Sequence, residues 1–183
     1  MKVLLTGGPC SGKTSVLNNL QKINPEWNYH NEIARELGKT MDPVNKPQEF
    51  TKAIYDGRIN QYNSPAPISI YDRGLIDCAA YELYFGGNQS AHLGKYIETC
   101  ESHPYHMVFF MPHWPEIYKQ DSERFETEQQ SKHIAESIKE VLQNINANYH
   151  VVPTFKTIAK EESISMRTEF IAEKIQQFIR CNY

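Results

Sequence analysis

The chain has 183 residues, 40% of them hydrophobic, and a formal net charge of −3 at pH 7. This length favours one ordinary domain with a real hydrophobic core over two domains. The near balance of charge argues against a nucleic-acid-binding surface spread over the whole chain, although it leaves room for a local basic patch. The four cysteines have no paired spacing, which is typical of reduced thiols rather than of a disulfide framework or a zinc site.

The start of the chain predicts a strand, a glycine-rich loop and a helix, in that order. Residues 2–6 form a short apolar run suited to a buried parallel strand, and a helix is predicted to open at Ser15. Between them, Gly7–Thr14 reads G-x-x-x-x-G-K-T, the Walker A motif or P-loop, whose backbone N–H groups bind phosphate. Lys13 is expected to reach the β- and γ-phosphates of a nucleotide, and Thr14 to place its hydroxyl on Mg²⁺. The candidate nucleotide-binding residues are Gly7, Gly8, Pro9, Cys10, Ser11, Gly12, Lys13, Thr14 and Ser15.

The remaining elements alternate between strands and helices along the chain. Further strands are predicted at 27–30, 68–71, 105–111 and 149–152. Further helices are predicted at 31–38, 47–62, 75–85, 90–101, 123–145 and 163–180. The apolar positions expected to face the core are Phe50, Ala53, Ile54 and Ile59 in the third helix and Ile164, Phe170, Ile171, Ile175 and Phe178 in the last. This order predicts an α/β fold, a three-layer P-loop NTPase sandwich with about five parallel strands and helices on both faces, in one domain over residues 1–183.

Ligands of such sheets bind beyond the carboxyl ends of the strands, so the polar residues that follow each strand are candidates for a site. Glu32 and Arg35 follow the second predicted strand, and Asp72, Arg73 and Asp77 follow the third. We expect these side chains to share one cleft with the P-loop. For Asp72 and Arg73 the alternative is a structural ion pair or helix cap, and for Glu32 and Arg35 it is an inert pair on a helix surface.

Phosphoryl transfer needs positioned phosphates, a metal and cations where charge develops. Asp72 directly follows an apolar strand and is the best candidate for a carboxylate that holds Mg²⁺ with Thr14. Arg73 is expected to neutralise phosphate charge, and Glu32 to orient or deprotonate an acceptor hydroxyl.

A lid is predicted between the fourth strand and the long helix that follows it. Lys119, Asp121 and Arg124 lie there, and Arg124 is expected to clamp phosphate charge in cis. The alternative is a surface loop and helix start. The seven histidines lack the spacing of metal ligands and are interpreted as structural or surface residues.

Three motifs together resemble a known family. The loop T-G-G-P-x-S-G-K-T, the segment Glu32-Ile33-Ala34-Arg35 and the segment from Asp72 to Asp77, D-R-G-L-I-D, are similar to those of the small AAA-type P-loop domains. That family includes the nicotinamide-riboside kinase domain of bacterial NadR and the TRP-channel translocation-defect proteins. The residues 120–124 and 163–167 also fit its pattern, and the similarity runs from Met1 to about Ile179.

The resemblance implies a fold near nucleoside and nucleoside-monophosphate kinases, with ATP or GTP and Mg²⁺ as cofactors. Glu32 is similar in position to the catalytic glutamate of deoxynucleoside kinases. The Asp72–Arg73 pair is similar to the aspartate–arginine pair of thymidylate kinases. Glu32, Arg35, Arg73 and Asp77 are the candidate substrate-binding residues. The chain is too short for a second AAA+ subdomain, so a ring-forming mechanical ATPase is disfavoured.

The favoured interpretation is a phosphotransferase that moves the γ-phosphate of ATP to a nucleoside-like acceptor, of the ribosylnicotinamide or nucleoside kinase type. The alternatives are a non-catalytic ATP- or GTP-binding regulator of a protein or phospholipid partner, a kinase acting on nucleic acid, and nucleotide hydrolysis coupled to a partner. The acceptor, the choice between ATP and GTP and the oligomeric state stay open. A cytoplasmic location is expected because no signal peptide precedes the first strand and no apolar run is long enough to span a membrane.

Overall fold

The computed structural model describes residues 1–42, 45–114, 127–155 and 159–182. Its strands are β1 (Lys2–Thr6), β2 (Asn28–His30), β3 (Ser69–Asp72), β4 (Met107–Phe110) and β5 (His150–Val151). Its helices are α1 (Lys13–Ile23), α2 (Ile33–Leu37), α3 (Pro47–Tyr62), α4 (Leu75–Gly86), α5 (Leu93–Ser102), α6 (Glu128–Asn144) and α7 (Lys160–Asn182), with a 3₁₀ turn at Gly87–Gln89.

The five strands form one parallel sheet in the order β2-β3-β1-β4-β5. The first strand is central, because Leu4 pairs with Tyr71 of β3 on one side and with Val108 of β4 on the other. All carboxyl ends therefore lie at one edge, and the segments after β1, β2 and β3 leave that edge side by side. This arrangement brings the P-loop next to the residues that follow β2 and β3.

Alternate residues of the central strands enter cores on opposite faces of the sheet, as the period of two in a strand requires. Leu4, Tyr71 and Phe110 belong to the core on the face that packs against α3, α4, α5 and α6. Leu5 and Phe109 belong to the core on the other face, which packs against α1 and α7. Three layers result, and the predicted α/β P-loop fold is confirmed.

The long helix α6 begins later than the sequence predicted. Thr127 has an extended backbone and caps the helix, since its hydroxyl accepts a hydrogen bond from the Gln130 amide. The Gln130 side chain accepts one from the Thr127 amide in return, which completes a capping box. The predicted start at Glu123 was therefore wrong, because Thr127 offers the cap and the acidic residue in the first turn is Glu128.

Two other helices also differ from prediction. The last helix begins at Lys160 rather than at residue 163, with Glu161 and Glu162 in its first turn, where the helix dipole favours acidic side chains.

In α3 the buried side chains are Tyr55 and Arg58, whereas the predicted apolar stripe is half-buried. Tyr55 stacks on Tyr96 of α5, and Ile59 of the predicted stripe packs against the same core from a half-buried position. In α7 the predicted Ile164, Ile171 and Ile175 are buried, and Phe170 and Phe178 are half-buried.

None of the helices in the described part of the chain combines the length and the apolar character that a membrane span requires.

Candidate functional site

The P-loop between β1 and α1 packs tightly against the neighbouring backbone. A Cβ atom on Gly7 would overlap the carbonyl oxygen of Met111, and one on Gly8 would overlap that of Ser131. Gly7 and Gly12 also have positive φ angles of 151° and 84°, which favour glycine. The motif glycines are therefore required by close packing and by the turn of the loop itself.

The Lys13 side chain folds back into the loop. Its Nζ atom donates hydrogen bonds to the carbonyl oxygens of Gly7 and Gly8, at 2.9 Å each, and to the hydroxyl of Ser11 at 3.0 Å. Burial of the ammonium and the nearby guanidinium of Arg73 lower the pKa of Lys13 to about 8. The loop thus holds a buried cation at its centre whose charge is lost easily as the pH rises.

Thr14 and Asp72 form a second contact between the P-loop segment and the sheet. The Thr14 hydroxyl donates a 2.6 Å hydrogen bond to Oδ2 of Asp72. The Oδ1 atom of Asp72 is buried and has no hydrogen-bond partner among the described residues. Burial raises the pKa of the Asp72 carboxyl. A buried carboxylate oxygen that lacks a donor, next to a hydroxyl, fits a hard cation such as Mg²⁺.

These two side chains do not make a complete metal cage. In the described ranges, no cluster of three or more histidine, cysteine, aspartate or glutamate side chains could hold a metal ion. Mg²⁺ is commonly bound through one or two protein oxygens together with substrate phosphates and water. Thr14 and Asp72 fit that smaller protein contribution.

Arg73 connects the P-loop to both neighbouring carboxylates. Its Nε donates to Glu32 at 2.7 Å, and its Nη1 donates to Asp77 and to the Gly7 carbonyl oxygen, at 3.2 Å each. The side chain is 8% exposed, and the residue has a left-handed φ of 68°. That conformation costs a non-glycine residue about 1–2 kcal/mol, so the surrounding contacts hold Arg73 in a strained backbone.

Asp77 supports Arg73 from the first turn of α4. Besides Arg73, its carboxylate accepts hydrogen bonds from the Thr6 hydroxyl at 3.0 Å and from the Gly74 amide at 2.8 Å. The Gly74 contact caps the helix. Through these contacts Asp77 holds the Arg73 side chain in place and caps the start of α4.

Glu32 lies directly before α2 and contacts two arginines. Its Oε1 accepts from Arg73, and its Oε2 lies 3.0 Å from Nε of Arg35, which is 37% exposed. Burial alone would raise the pKa of Glu32, but the charges of Arg73, Lys13 and Arg35 together lower it to about 2. Arg73 is 41 positions from Glu32 in the chain. Glu32 therefore connects two separate segments, in addition to the local pair that it makes with Arg35.

The structure brings most of the sequence candidates into one hydrogen-bonded cluster at the carboxyl ends of the strands. The P-loop, Glu32, Asp72, Arg73 and Asp77 are joined by the hydrogen bonds above, and Arg35 lies at the rim. Lys119, Asp121 and Arg124, the three residues predicted to act in a lid, lie outside the described residues.

The family follows from a comparison with models of protein families. The AAA domain model matches residues 2–160. The chain belongs to this AAA domain family. No curated protein matches the sequence.

Solved structures similar to this AAA domain include several kinases. Deoxyadenosine kinase from M. mycoides, with the products dCMP and dCDP bound, is 14% identical over 97% of this chain and 100% of that one, with a TM-score of 0.66. Thymidylate kinase from Candida albicans is 18% identical over 96% and 91%, with a TM-score of 0.69. The NadR protein in complex with NR is 16% identical over 96% of this chain and 50% of that one, with a TM-score of 0.71. At these identities the likeness establishes a shared fold.

Two residues that contact the P-loop of the AAA domain were missed by the sequence analysis. Ser131 of α6 donates to the Pro9 carbonyl oxygen at 2.7 Å, and Arg167 of α7 donates to the Ser11 carbonyl oxygen at 2.8 Å. A signal for Arg167 was present, since it stands on the buried apolar face of α7. Ser131 offered no such signal, because a serine on a helix is not distinctive.

Proposed function

We propose that the chain is a kinase that transfers the γ-phosphate of ATP to a hydroxyl group of a nucleoside-like acceptor, of the nucleoside or ribosylnicotinamide kinase type. The supporting observation is the bridge made by Arg73, which joins the Glu32 carboxylate to the Gly7 carbonyl oxygen of the P-loop. Through this bridge, a group that can hold an acceptor hydroxyl lies beside a loop that can hold the donor phosphate.

The donor half consists of the P-loop, Lys13, Thr14 and Asp72. Loop amides would bind the phosphate oxygens, and Lys13 would turn from its loop acceptors toward the β- and γ-phosphates. Thr14 and Asp72 would hold Mg²⁺, which neutralises negative charge on the phosphates when bound. Arg73 would stabilise charge on the migrating phosphoryl group.

The acceptor half carries balanced charge, which supports a neutral acceptor. The two arginines, Arg35 and Arg73, are both paired with carboxylates, those of Glu32 and Asp77. A phosphorylated acceptor would bring a second phosphate, which needs a cation besides Arg73, the arginine assigned here to the migrating phosphoryl group. A hydroxyl needs a hydrogen-bond acceptor instead, and the Glu32 carboxylate provides one.

Glu32 acts in this proposal mainly by orienting the acceptor hydroxyl. With a pKa of about 2 it is ionised at every physiological pH and is a weak base. Phosphoryl transfer passes through a loose transition state in which little basicity is needed before the bond to phosphorus forms. Placing the hydroxyl in line with the phosphate is then the larger contribution.

Tyr81 of α4 is an aromatic residue that lies next to Arg73. The Arg73 guanidinium lies 5.3 Å from the centre of its ring. In contrast, Tyr55 is buried against Tyr96 in the core, and Tyr62 donates a hydrogen bond to the Pro104 carbonyl oxygen. Tyr81 therefore supports a ring-containing acceptor next to Arg73.

Incubation with γ-labelled ATP or GTP and a panel of acceptors tests the proposal. The panel contains nucleosides, deoxynucleosides, nicotinamide riboside, nucleoside monophosphates and oligonucleotides. We expect transfer to a nucleoside-type hydroxyl, and Glu32→Gln should lower the rate by about 10²-fold through loss of orientation while leaving the Kd for ATP unchanged. Transfer to oligonucleotides would favour the nucleic-acid kinase. Tight nucleotide binding with no transfer, and no effect of Glu32→Gln on partner binding, would favour the non-catalytic regulator.

The low pKa of Lys13 predicts a pH dependence of nucleotide binding. Bound phosphate stabilises the ammonium, so binding should raise its pKa above 8 and take up a proton wherever the free protein has lost it. The last proton of a phosphate leaves near pH 6 and does not interfere above pH 7. We expect calorimetry with ADP, in two buffers of different ionisation enthalpy, to give about one proton taken up at pH 9 and about none at pH 7.

The Kd for ADP should accordingly rise above pH 8. Lys22→Gln is the matched control, because Lys22 is an exposed lysine of the same helix and its loss should leave the proton uptake unchanged. Equal uptake at both pH values would show that Lys13 is not the linked group.

A further inference from the structure

Arg167 occupies an unusual place on α7. Its side chain is fully buried on the face of the helix that also presents Ile164 and Ile171 to the core. The guanidinium lies 4.9 Å from the centre of the Trp114 ring, and its Nη1 donates to the Ser11 carbonyl oxygen. Arg167 thus reaches the P-loop from the side opposite to the sheet residues that form the cleft.

The charge of Arg167 is not balanced within the described part of the chain. Its Nε and Nη2 atoms are buried without hydrogen-bond partners, and no carboxylate of the described residues forms an ion pair with it. Burial lowers the pKa of the guanidinium to about 10, so it stays charged at neutral pH. A buried charge with one hydrogen bond costs free energy of folding, and an apolar residue of similar size would pack there at lower cost.

The hydrogen bond from Arg167 to the Ser11 carbonyl oxygen acts on a peptide group of the P-loop. The Ser11 carbonyl and the Gly12 amide belong to the same peptide group, so donation to the carbonyl polarises the N–H on the other side. A polarised N–H is a stronger donor to an anion, because hydrogen bonds in a chain reinforce one another. The contact also fixes the orientation of that peptide, on which a phosphate-binding loop depends.

We propose that Arg167 is a positioning residue of the P-loop, which orients and polarises the Ser11–Gly12 peptide and thereby strengthens binding of the nucleotide phosphates. Arg167 acts through the loop and does not itself touch the nucleotide. This inference rests on the proposed nucleotide-binding function and adds to it a residue from the far face of the fold. It also explains why an unbalanced charge is kept at a site where it does not favour folding.

Binding of ADP and AMP to Arg167→Met provides the test. Removing a hydrogen bond from a charged group predicts a Kd for ADP that is higher by about tenfold or more. The Kd for AMP should change by less than about threefold, since AMP carries only one of the two phosphates, α and β, that the loop amides of the motif cradle. The melting temperature of the ligand-free variant should equal or exceed that of the wild type.

Thr168→Val is the matched control. Thr168 is the next residue of α7, is equally buried, and donates its hydroxyl to the Ile164 carbonyl oxygen of its own helix. This variant should lower the melting temperature and leave both dissociation constants unchanged. Arg167→Gln, which keeps a donor but no charge, should lie between the wild type and Arg167→Met, and it decides the question if the methionine variant does not fold.

An Arg167→Met protein that binds ADP within twofold of the wild type would overturn the inference, as would an equal loss for ADP and AMP. In that event the proposed kinase function would stand, provided that the wild type binds ADP. A wild type that binds neither nucleotide would reject the proposed function and this inference together.

Discussion

Replacing Arg73 with methionine is expected to lower phosphoryl transfer by about 10³-fold or more and to destabilise the fold by about 3–5 kcal/mol. The stability loss follows because Glu32 and Asp77 would keep buried carboxylates without their shared cation. The activity loss follows because the charge beside the P-loop disappears and Glu32 is no longer held in place. Urea unfolding measures the first effect, and kcat/KM with the best acceptor of the panel measures the second.

Arg35→Met is the matched control, since Arg35 contacts the same carboxylate from the outside. It is 37% exposed, so its ion pair with Glu32 should contribute little, about 0–1 kcal/mol. Its removal should also reduce kcat/KM by less than about tenfold, because Arg73 alone still holds Glu32. Similar losses for the two variants, in stability or in rate, would refute the central role of Arg73.

Much of this cleft could be predicted because parallel sheets place strand ends together. The motif at Gly7–Thr14 identified one strand end directly. The residues Glu32 and Asp72–Arg73 were found by a rule that needs only the position of each strand, which short apolar runs reveal. The same rule predicted that these side chains would meet, and the hydrogen bond between Arg73 and Glu32 connects two of the predicted strand ends.

The contacts that could not be predicted depend on side-chain packing between distant elements. The sequence did not indicate that Asp77 would cap α4 at Gly74 while holding Arg73. Nor did it reveal that Arg167 would contact Ser11, which lies 156 positions away. Local patterns also failed for the start of α6, where the acidic residue Glu123 suggested an earlier start than the one that Thr127 caps.

The two arginines illustrate different uses of a buried charge. Arg73 is compensated by two carboxylates, so its loss leaves those groups unpaired and destabilises the fold. Arg167 has no such partner in the described part of the chain, so its loss leaves no unpaired carboxylate. The free energy of unfolding should therefore fall in Arg73→Met and should not fall in Arg167→Met.

Asp72→Asn is expected to separate stability from metal-dependent activity. Burial raises the pKa of Asp72 above its unfolded value, so its contribution to stability is full below the unfolded pKa and is lost as the pH rises through the folded pKa. The asparagine variant, which cannot ionise, should therefore gain stability relative to the ligand-free wild type as the pH rises above the unfolded pKa of an aspartate, about 4. It should also need a Mg²⁺ concentration about 10–100-fold higher for half-maximal transfer, because the carboxylate charge is lost.

Thermal unfolding at a series of pH values measures the first effect, and the rate of transfer at a series of Mg²⁺ concentrations measures the second. Thermal unfolding with and without Mg²⁺ and ADP tests metal binding directly. Because a ligand that binds the native state stabilises it, Mg²⁺ should add to the stabilisation by ADP in the wild type and add little in Asp72→Asn. Asp56→Asn is the control, since Asp56 is an exposed aspartate of α3 paired with Lys52 and should respond as the wild type does. If Mg²⁺ stabilised Asp72→Asn with ADP as strongly as the wild type, the metal would not be held by Asp72.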